Sequence, residues 1–342
     1  MGNPAQSIHK TLTFRASSIG DALNAKYFLE NIRATYPSAR CAIVVAGKGA
    51  MIRDLLAAYS WIEVIEANRK APRLLYVLWH KFSGSDIVVI PPTKGNASFS
   101  LPSKLIARLL SRRGGLIGFQ DASGINRFIY DRVIPLHPFQ APRLSEQAVL
   151  RAAGIPVQVE NMSLLYVPQP ELLTQLKMYP KQYVVLHLFA GLSGRDMSQR
   201  KRQEFIDELA RAVPNASIVL TGTGEERTYL EQLRLPEGVR ILAGELSVQE
   251  LIELMAQSAC VISVGSGPSH IASSIGVPVL VLVTCVGIHW VGKEQYGSDA
   301  IVHVFSAVEA CRNGHVYEEG KPLCIEGIDA KVVARKAAEY IQ

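Results

Sequence analysis

Three short stretches hold residue types at spacings that suit the gripping of a phosphate and the movement of a proton. The first, Gly265-Ser266-Gly267-Pro268-Ser269-His270, lies between the apolar runs 260–264 and 277–283. It reads as strand, tight turn and helix, with Pro268 in the first helical turn, where its missing N–H would have had no partner. Ile271, Ala272 and Ile275 form an apolar helix face and Gly276 ends it. The free first-turn N–H groups and the positive end of the dipole favour an anion there. Ser266 adds a hydroxyl, and His270 an imidazole placed for a ligand role rather than for packing. The second stretch is Thr221-Gly222-Thr223-Gly224-Glu225. Its glycines let backbone approach a ligand and Glu225 could accept from ribose hydroxyls, although a small glycine turn is also an ordinary strand–helix connection. The third is Ser17-Ser18-Ile19-Gly20-Asp21. Asp21 has two readings on its own: a first-turn carboxylate that suits the helix dipole, or a general base for an acceptor hydroxyl. A fourth segment, 190–202, adds Ser193 and the cations Arg195, Arg200 and Lys201. These could neutralise a departing diphosphate, while an exposed basic helix start fits Lys201 and Arg202 better than the Gly-flanked Arg195.

The elements that must position these groups alternate regularly. Apolar runs at 11–16, 41–46, 62–65, 86–90 and 116–119 read as strands, with helical patterns at 22–36, 51–59, 72–82 and 101–111 between them. The alternation restarts with strands at 183–188, 217–221, 239–243, 260–264, 277–283 and 301–305, and helices at 201–213, 225–233 and 248–258. Buried apolar strands separated by helices predict parallel sheets covered on both faces. The expected organisation is an N-terminal domain at 1–167 closed by a strand at 163–167, and a linker at 168–181 marked by three prolines. A second domain follows at 182–328, and the helix 329–342 could pack back on the first domain. Residues 120–160 are irregular, rich in Pro and Arg, and could line an acceptor groove. Two such units in tandem would enclose a cleft faced by the carboxyl ends of both sheets, where open parallel sheets bind ligands.

Composition narrows the partners. With 342 residues, 48% apolar and 19% charged, the chain is globular and long enough for two cores. No apolar run is long enough to span a bilayer and residues 1–10 are too polar for a signal peptide, so a cytoplasmic protein is expected. The five cysteines are scattered without a metal-binding spacing and read as free thiols. The net charge of +6 is modest but clustered, with Lys94, Lys104, Arg108, Arg112 and Arg113 interleaved among leucines. Lys94, Lys104 and Arg108 are candidates to meet an anionic acceptor or lipid surface. The plainer reading of this helix is a leucine face on the core with a solvated basic face outside. No aromatics stand between the charges and no nucleic-acid motif occurs, so nucleic acid is not an expected partner.

Three segments together resemble the lipopolysaccharide heptosyltransferases, glycosyltransferase family 9: Arg15-Ala-Ser-Ser-Ile-Gly-Asp21, Val185-Leu-His-Leu-Phe-Ala-Gly191, and Ser266-Gly-Pro-Ser-His270 with its continuation to Pro278. The resemblance implies a GT-B fold, two Rossmann-like doubly wound domains facing a central cleft. It implies inverting transfer of a heptose, without a metal or other cofactor, from an ADP-activated donor to a lipopolysaccharide core or other cell-envelope glycan. It further implies a monomer, with peripheral contact at the cytoplasmic face of the inner membrane. By motif, Asp21 resembles the general base, Ser266, Gly267 and His270 the diphosphate site, and Glu225 a ribose contact. The expected donor set is Ser18, Gly20, Ser193, Arg195, Lys201, Thr221, Gly222, Gly224, Glu225, Ser266, Gly267, Pro268 and His270. Gly265 stands where many members carry an acid, which motivates one alternative, a nucleotide-sugar-binding protein without catalysis; a sugar-nucleotide epimerase of the same fold is a further one.

Overall fold

The computed structural model describes residues 7–15, 18–67, 72–91, 100–120, 124–135, 137, 140–190, 196–285, 287–307, 309, 317–318 and 321–341. It divides into two compact units, residues 1–162 and 163–342. Lys94, Ser193 and Arg195 lie outside the described residues.

The first unit is built on six strands: β1 (Lys10–Arg15), β2 (Arg40–Val45), β3 (Ile62–Glu66), β4 (Ile87–Ile90), β5 (Leu116–Phe119) and β6 (Arg132–Ile134). All pair in parallel, in the order β3-β2-β1-β4-β5-β6. Its helices are α1 (Ile19–Thr35), α2 (Gly49–Leu55), α3 (Pro72–Phe82), α4 (Leu101–Leu110), α5 (Asn126–Ile129) and α6 (Pro142–Ala153). β4 and β5 are buried throughout, as expected of strands covered on both faces. The strand order reverses between β1 and β4, so the start of α1, with Ser18 at its cap and Asp21 in its first turn, follows the sheet's switch point.

Two expectations change in this unit. The span 120–160 holds α5, β6 and α6 rather than an irregular rim. These elements are short, and α6 is bounded by Pro142 near its start and the left-handed Gly154 at its end. The second change concerns α4, which sits the other way round. Lys104, Ala107 and Leu110 face the core, while Leu101, Leu105 and Leu109 are exposed. Lys104 can be buried because its Nζ donates to Asn126 Oδ1 at 2.6 Å, and Asn126 Nδ2 donates to the Phe119 carbonyl at 2.7 Å. Arg108 is held by Asp131 at 2.7 Å. Lys104 therefore has a structural post, and the charge of Arg108 is already paired.

The second unit repeats the plan. Its strands are β7 (Tyr183–His187), β8 (Ser217–Leu220), β9 (Val239–Ile241), β10 (Cys260–Val264), β11 (Val279–Leu282) and β12 (Val302–Phe305), all parallel, ordered β12-β11-β10-β7-β8-β9. Counted from its own first strand, this is the order of the first unit. Its helices are α7 (Leu172–Leu176), α8 (Gln199–Ala212), α9 (Gly224–Leu230), α10 (Val248–Gln257), α11 (Gly267–Ser274), α12 (Lys293–Tyr296), α13 (Leu323–Glu326) and α14 (Ala330–Ala338).

The span 163–181 is not a free linker. Leu164 N–H donates to the Ser274 carbonyl, Val167 N–H to Gln249 Oε1, and Gln169 N–H to Glu253 Oε2, while Leu172 and Leu173 are buried. The strand expected at 163–167 does not form, since these residues join no ladder. The closing helix α14 runs along α8 and sinks Ala330, Val333, Ala334 and Ala337 into the core of this unit. This packing uses the helix's apolar face. Among the described residues, no helix is long and apolar enough to cross a membrane.

Candidate functional site

In the second unit the strand order reverses between β7 and β10, so ligand-binding groups belong in the loops after these two strands. After β10 the chain turns at Gly265-Ser266 and enters α11, with Ser266 as N-cap and Pro268 in the first turn. Ser266 does not cap with its side chain, the first turn holds no acid, and Ser266 Oγ is buried with no partner among the described residues. A buried hydroxyl left unpaired costs about 1–3 kcal/mol, and an oxyanion held by the first-turn amides would remove that cost.

His270 lies one turn into α11. Its Nδ1 makes a short hydrogen bond with Tyr296 Oη, and the two rings lie 6.0 Å apart at 59°. Tyr296, from α12, is 2% exposed, and burial pushes its phenol above the ordinary tyrosine value. The phenol therefore keeps its proton, and its hydrogen bond with Nδ1 holds the imidazole in one orientation. Tyr296→Phe should weaken binding of an ADP-sugar about tenfold, the worth of one orienting hydrogen bond, with little change in turnover at saturating donor. Calorimetry alongside steady-state kinetics would check this, and an unchanged Kd would remove Tyr296 from the site.

A small cleft open to solvent adjoins His270 and is walled by Val264, Gly265, Leu282, Thr284, Trp290 and Ile325. A Cβ on Gly265 would stand 3.3 Å from Val283 Cγ1, so any side chain at 265 needs Val283 to yield by a few tenths of an ångström.

The remaining donor candidates separate. Gly222 and Gly224 lie in a tight turn: a Cβ on Gly222 would meet Glu226 Oε2 at 2.9 Å, and one on Gly244 would meet Gly224 Cα at 2.7 Å. Thr223 and Glu226 form a capping box at the start of α9, which leaves Glu225 exposed beside it. Thr221 is buried and its hydroxyl meets His187 Nδ1 at 3.2 Å, so its side chain serves the interior. Lys201 is also buried, with Nζ on Glu204 at 2.9 Å. Arg202 is buried too, paired with Asp196 at 3.2 Å and laid over the Phe189 ring at 4.4 Å. An exposed basic helix start is thus true of Arg200 alone of these three cations. Among the described residues no group of three His, Cys, Asp or Glu side chains is arranged to hold a metal ion.

Burial drives the His187 imidazole down to about 4 from its ordinary 6.5. Between these values the unfolded chain binds a proton that the folded chain refuses, so stability is full above pH 6.5 and falls toward pH 4. The loss approaches about 3 kcal/mol. Urea denaturation across this range should show His187→Gln closing its deficit against wild type as the pH falls. A parallel pair of profiles would contradict it.

In the first unit Ser18 caps α1. Its Oγ accepts from the Asp21 N–H at 3.1 Å and donates to Asp21 Oδ2 at 2.5 Å. The carboxylate is thus fixed at the helix start and half-exposed, so the first-turn reading of Asp21 describes its position without removing its chemistry. Beneath it, Arg15 Nη2 binds Glu146 Oε2 at 2.8 Å, with both side chains at or below 5% exposure. Burial pushes the Glu146 carboxyl up, Arg15 pulls it down, and the nearby Asp21 charge pushes it up again. Sequence reasoning missed this pair and Tyr296. A charged Arg15 ending an apolar strand was the available sign; Glu146, 131 residues later, gave none.

Residues 168–284 match the model of glycosyltransferase family 9 (heptosyltransferase). No curated protein matches the chain in sequence. Among solved structures, a family 9 glycosyl transferase from Veillonella parvula is 15% identical with a TM-score of 0.72, covering 99% of each chain. The E. coli ADP-heptose lps heptosyltransferase II is 17% identical with a TM-score of 0.70, covering 97% of this chain and 98% of its own. The E. coli heptosyltransferase WaaC with ADP is 15% identical with a TM-score of 0.62, covering 97% and 99%. At these identities the likeness is one of fold.

Proposed function

We propose, from the match of residues 168–284 to the model of glycosyltransferase family 9 (heptosyltransferase), that the chain moves a heptose or related sugar from an ADP-activated donor to a lipopolysaccharide core or similar envelope glycan, with inversion and without a metal. In this reading Asp21 takes the proton of the acceptor hydroxyl as its oxygen attacks the anomeric carbon. The bond from that carbon to the diphosphate breaks, and its electron pair leaves on the diphosphate oxygen. The first-turn amides of α11, the Ser266 hydroxyl and the His270 imidazole receive that charge, as preorganised donors do for a developing oxyanion. One observation carries the reading: the unpaired Ser266 hydroxyl and the oriented His270 stand together at the helix start where the second sheet's order reverses.

The names of two structural neighbours support the nucleotide, since one is an ADP-heptose heptosyltransferase and another was solved with ADP. A thermal-shift screen over ADP-, UDP-, GDP- and CMP-sugars tests it. A donor at a hundred times its Kd should add about 2.7 kcal/mol of stability. ADP-sugars should stand apart from the rest; equal or absent shifts across the panel would remove the donor assignment.

A further inference from the structure

Along the second sheet, three places that could hold the parts of a nucleotide-sugar lie in a row. Its strands run parallel in the order β8-β7-β10-β11, so the Gly222–Glu225 turn follows β8 and the start of α11 follows β10. The small cleft beside His270 opens past the end of β11, where Leu282 and Thr284 wall it. A diphosphate held at the middle place carries one group to each side. With the ribose directed to Glu225, the sugar is directed to the cleft. Gly265, the residue before the Ser266 cap, joins that cleft to the helix start.

The walls say which kind of sugar fits. Leu282, Val283 and Ile325 are all buried, and the half-buried Trp290 stands with them. Among the described residues that line the cleft there is no acid, no Lys or Arg and no side-chain amide. Its polar side-chain groups are the Thr284 hydroxyl, the Trp290 indole N–H and the His270 ring, whose Nδ1 is bonded to Tyr296. A sugar carbon rich in hydroxyls needs a donor or acceptor for each water it gives up, and these walls offer few. A methyl group needs none and gains contact with the apolar side chains. Gly265 keeps this end of the cleft open, since a Cβ there would stand 3.3 Å from Val283 Cγ1.

We propose that this cleft takes a methyl-bearing group of the donor sugar, so that a deoxy or N-acetylated sugar is preferred to a fully hydroxylated one, with Gly265, Val283 and Trp290 setting the choice. The inference rests on the ADP-sugar reading and narrows it. Calorimetry on the full chain with ADP, ADP-heptose and two matched pairs tests it. The pairs are ADP-mannose against ADP-6-deoxymannose, and ADP-glucose against ADP-N-acetylglucosamine. In one pair the methyl-bearing member should bind about tenfold tighter than its parent and tighter than ADP-heptose, and that pair identifies whether the methyl is a deoxy or an acetyl one. Trp290→Ala should shrink the preference to within about threefold while the Kd for ADP stays unchanged. Gly265→Asp supplies a carboxylate for hydroxyls and should bring the pair to parity or reverse it. Melting temperatures show that each variant is folded. ADP that binds with no preference in either pair, tighter binding of ADP-heptose, or a preference that survives both variants would overturn this inference and leave the donor reading standing. ADP that does not bind at all would overturn both.

Discussion

Replacing Asp21 by asparagine should cut turnover by about a hundredfold or more, the usual worth of a general base, while donor affinity stays within about twofold. Asparagine is the informative substitution because Asp21 has two duties. At the third position of α1 its carboxylate is bonded to the capping Ser18 and favours the helix dipole, a contribution of about 1 kcal/mol. The amide keeps the shape and a bond to Ser18 but cannot take a proton. Asp21→Ala should match Asp21→Asn in turnover and fall below it in stability. Steady-state kinetics with acceptor, paired with donor calorimetry, separates these effects. Turnover that survives in Asp21→Asn would leave the carboxylate a purely structural part of the helix start.

The second large effect is one of stability. Glu146→Ala should cost about 3–5 kcal/mol in the unfolding of the first unit, because it strands the Arg15 guanidinium where almost no water reaches it. Arg15 Nε already has no partner among the described residues, so the group has little reserve. The double variant Arg15→Met, Glu146→Leu should recover most of the loss, since apolar side chains of similar volume replace a buried pair at small cost. Denaturant unfolding of the two single variants and the double variant makes the cycle. A single variant costing less than about 1 kcal/mol would mean that water reaches the pair after all. The pair also links two elements that position Asp21, β1 and α6, so Glu146→Ala should lower turnover beyond what its stability loss predicts at low temperature.

How far the sequence reached can be judged residue by residue. The two parallel sheets were legible because buried strands such as Cys260–Val264 and Val279–Leu282 are unbroken apolar runs, a local signal that needs no partner to be read. The start of α11 was legible for a similar reason: Gly-Pro after an apolar strand allows few conformations. Short elements were not legible. The edge strand β6 has three residues with two exposed, and α5 has four, too few for a period to show.

The orientation of α4 was beyond the sequence for a different reason. Its leucines and cations offer two faces of comparable breadth, and hydropathy ranks the leucines inward. What reverses that ranking is Asn126, 22 residues away, which gives Lys104 a buried partner and makes its burial tolerable. The same holds at both candidate sites. Residue types and local spacing determined that Asp21, Ser266 and His270 belong at strand ends, because turn chemistry is written in neighbouring residues. Only tertiary structure decided what supports them: Glu146 beneath Arg15 near Asp21, and Tyr296 holding the ring of His270. Hydrogen bonds and ion pairs between distant residues leave no periodicity in a sequence, and they form only where folding removes the water that would otherwise satisfy each group alone.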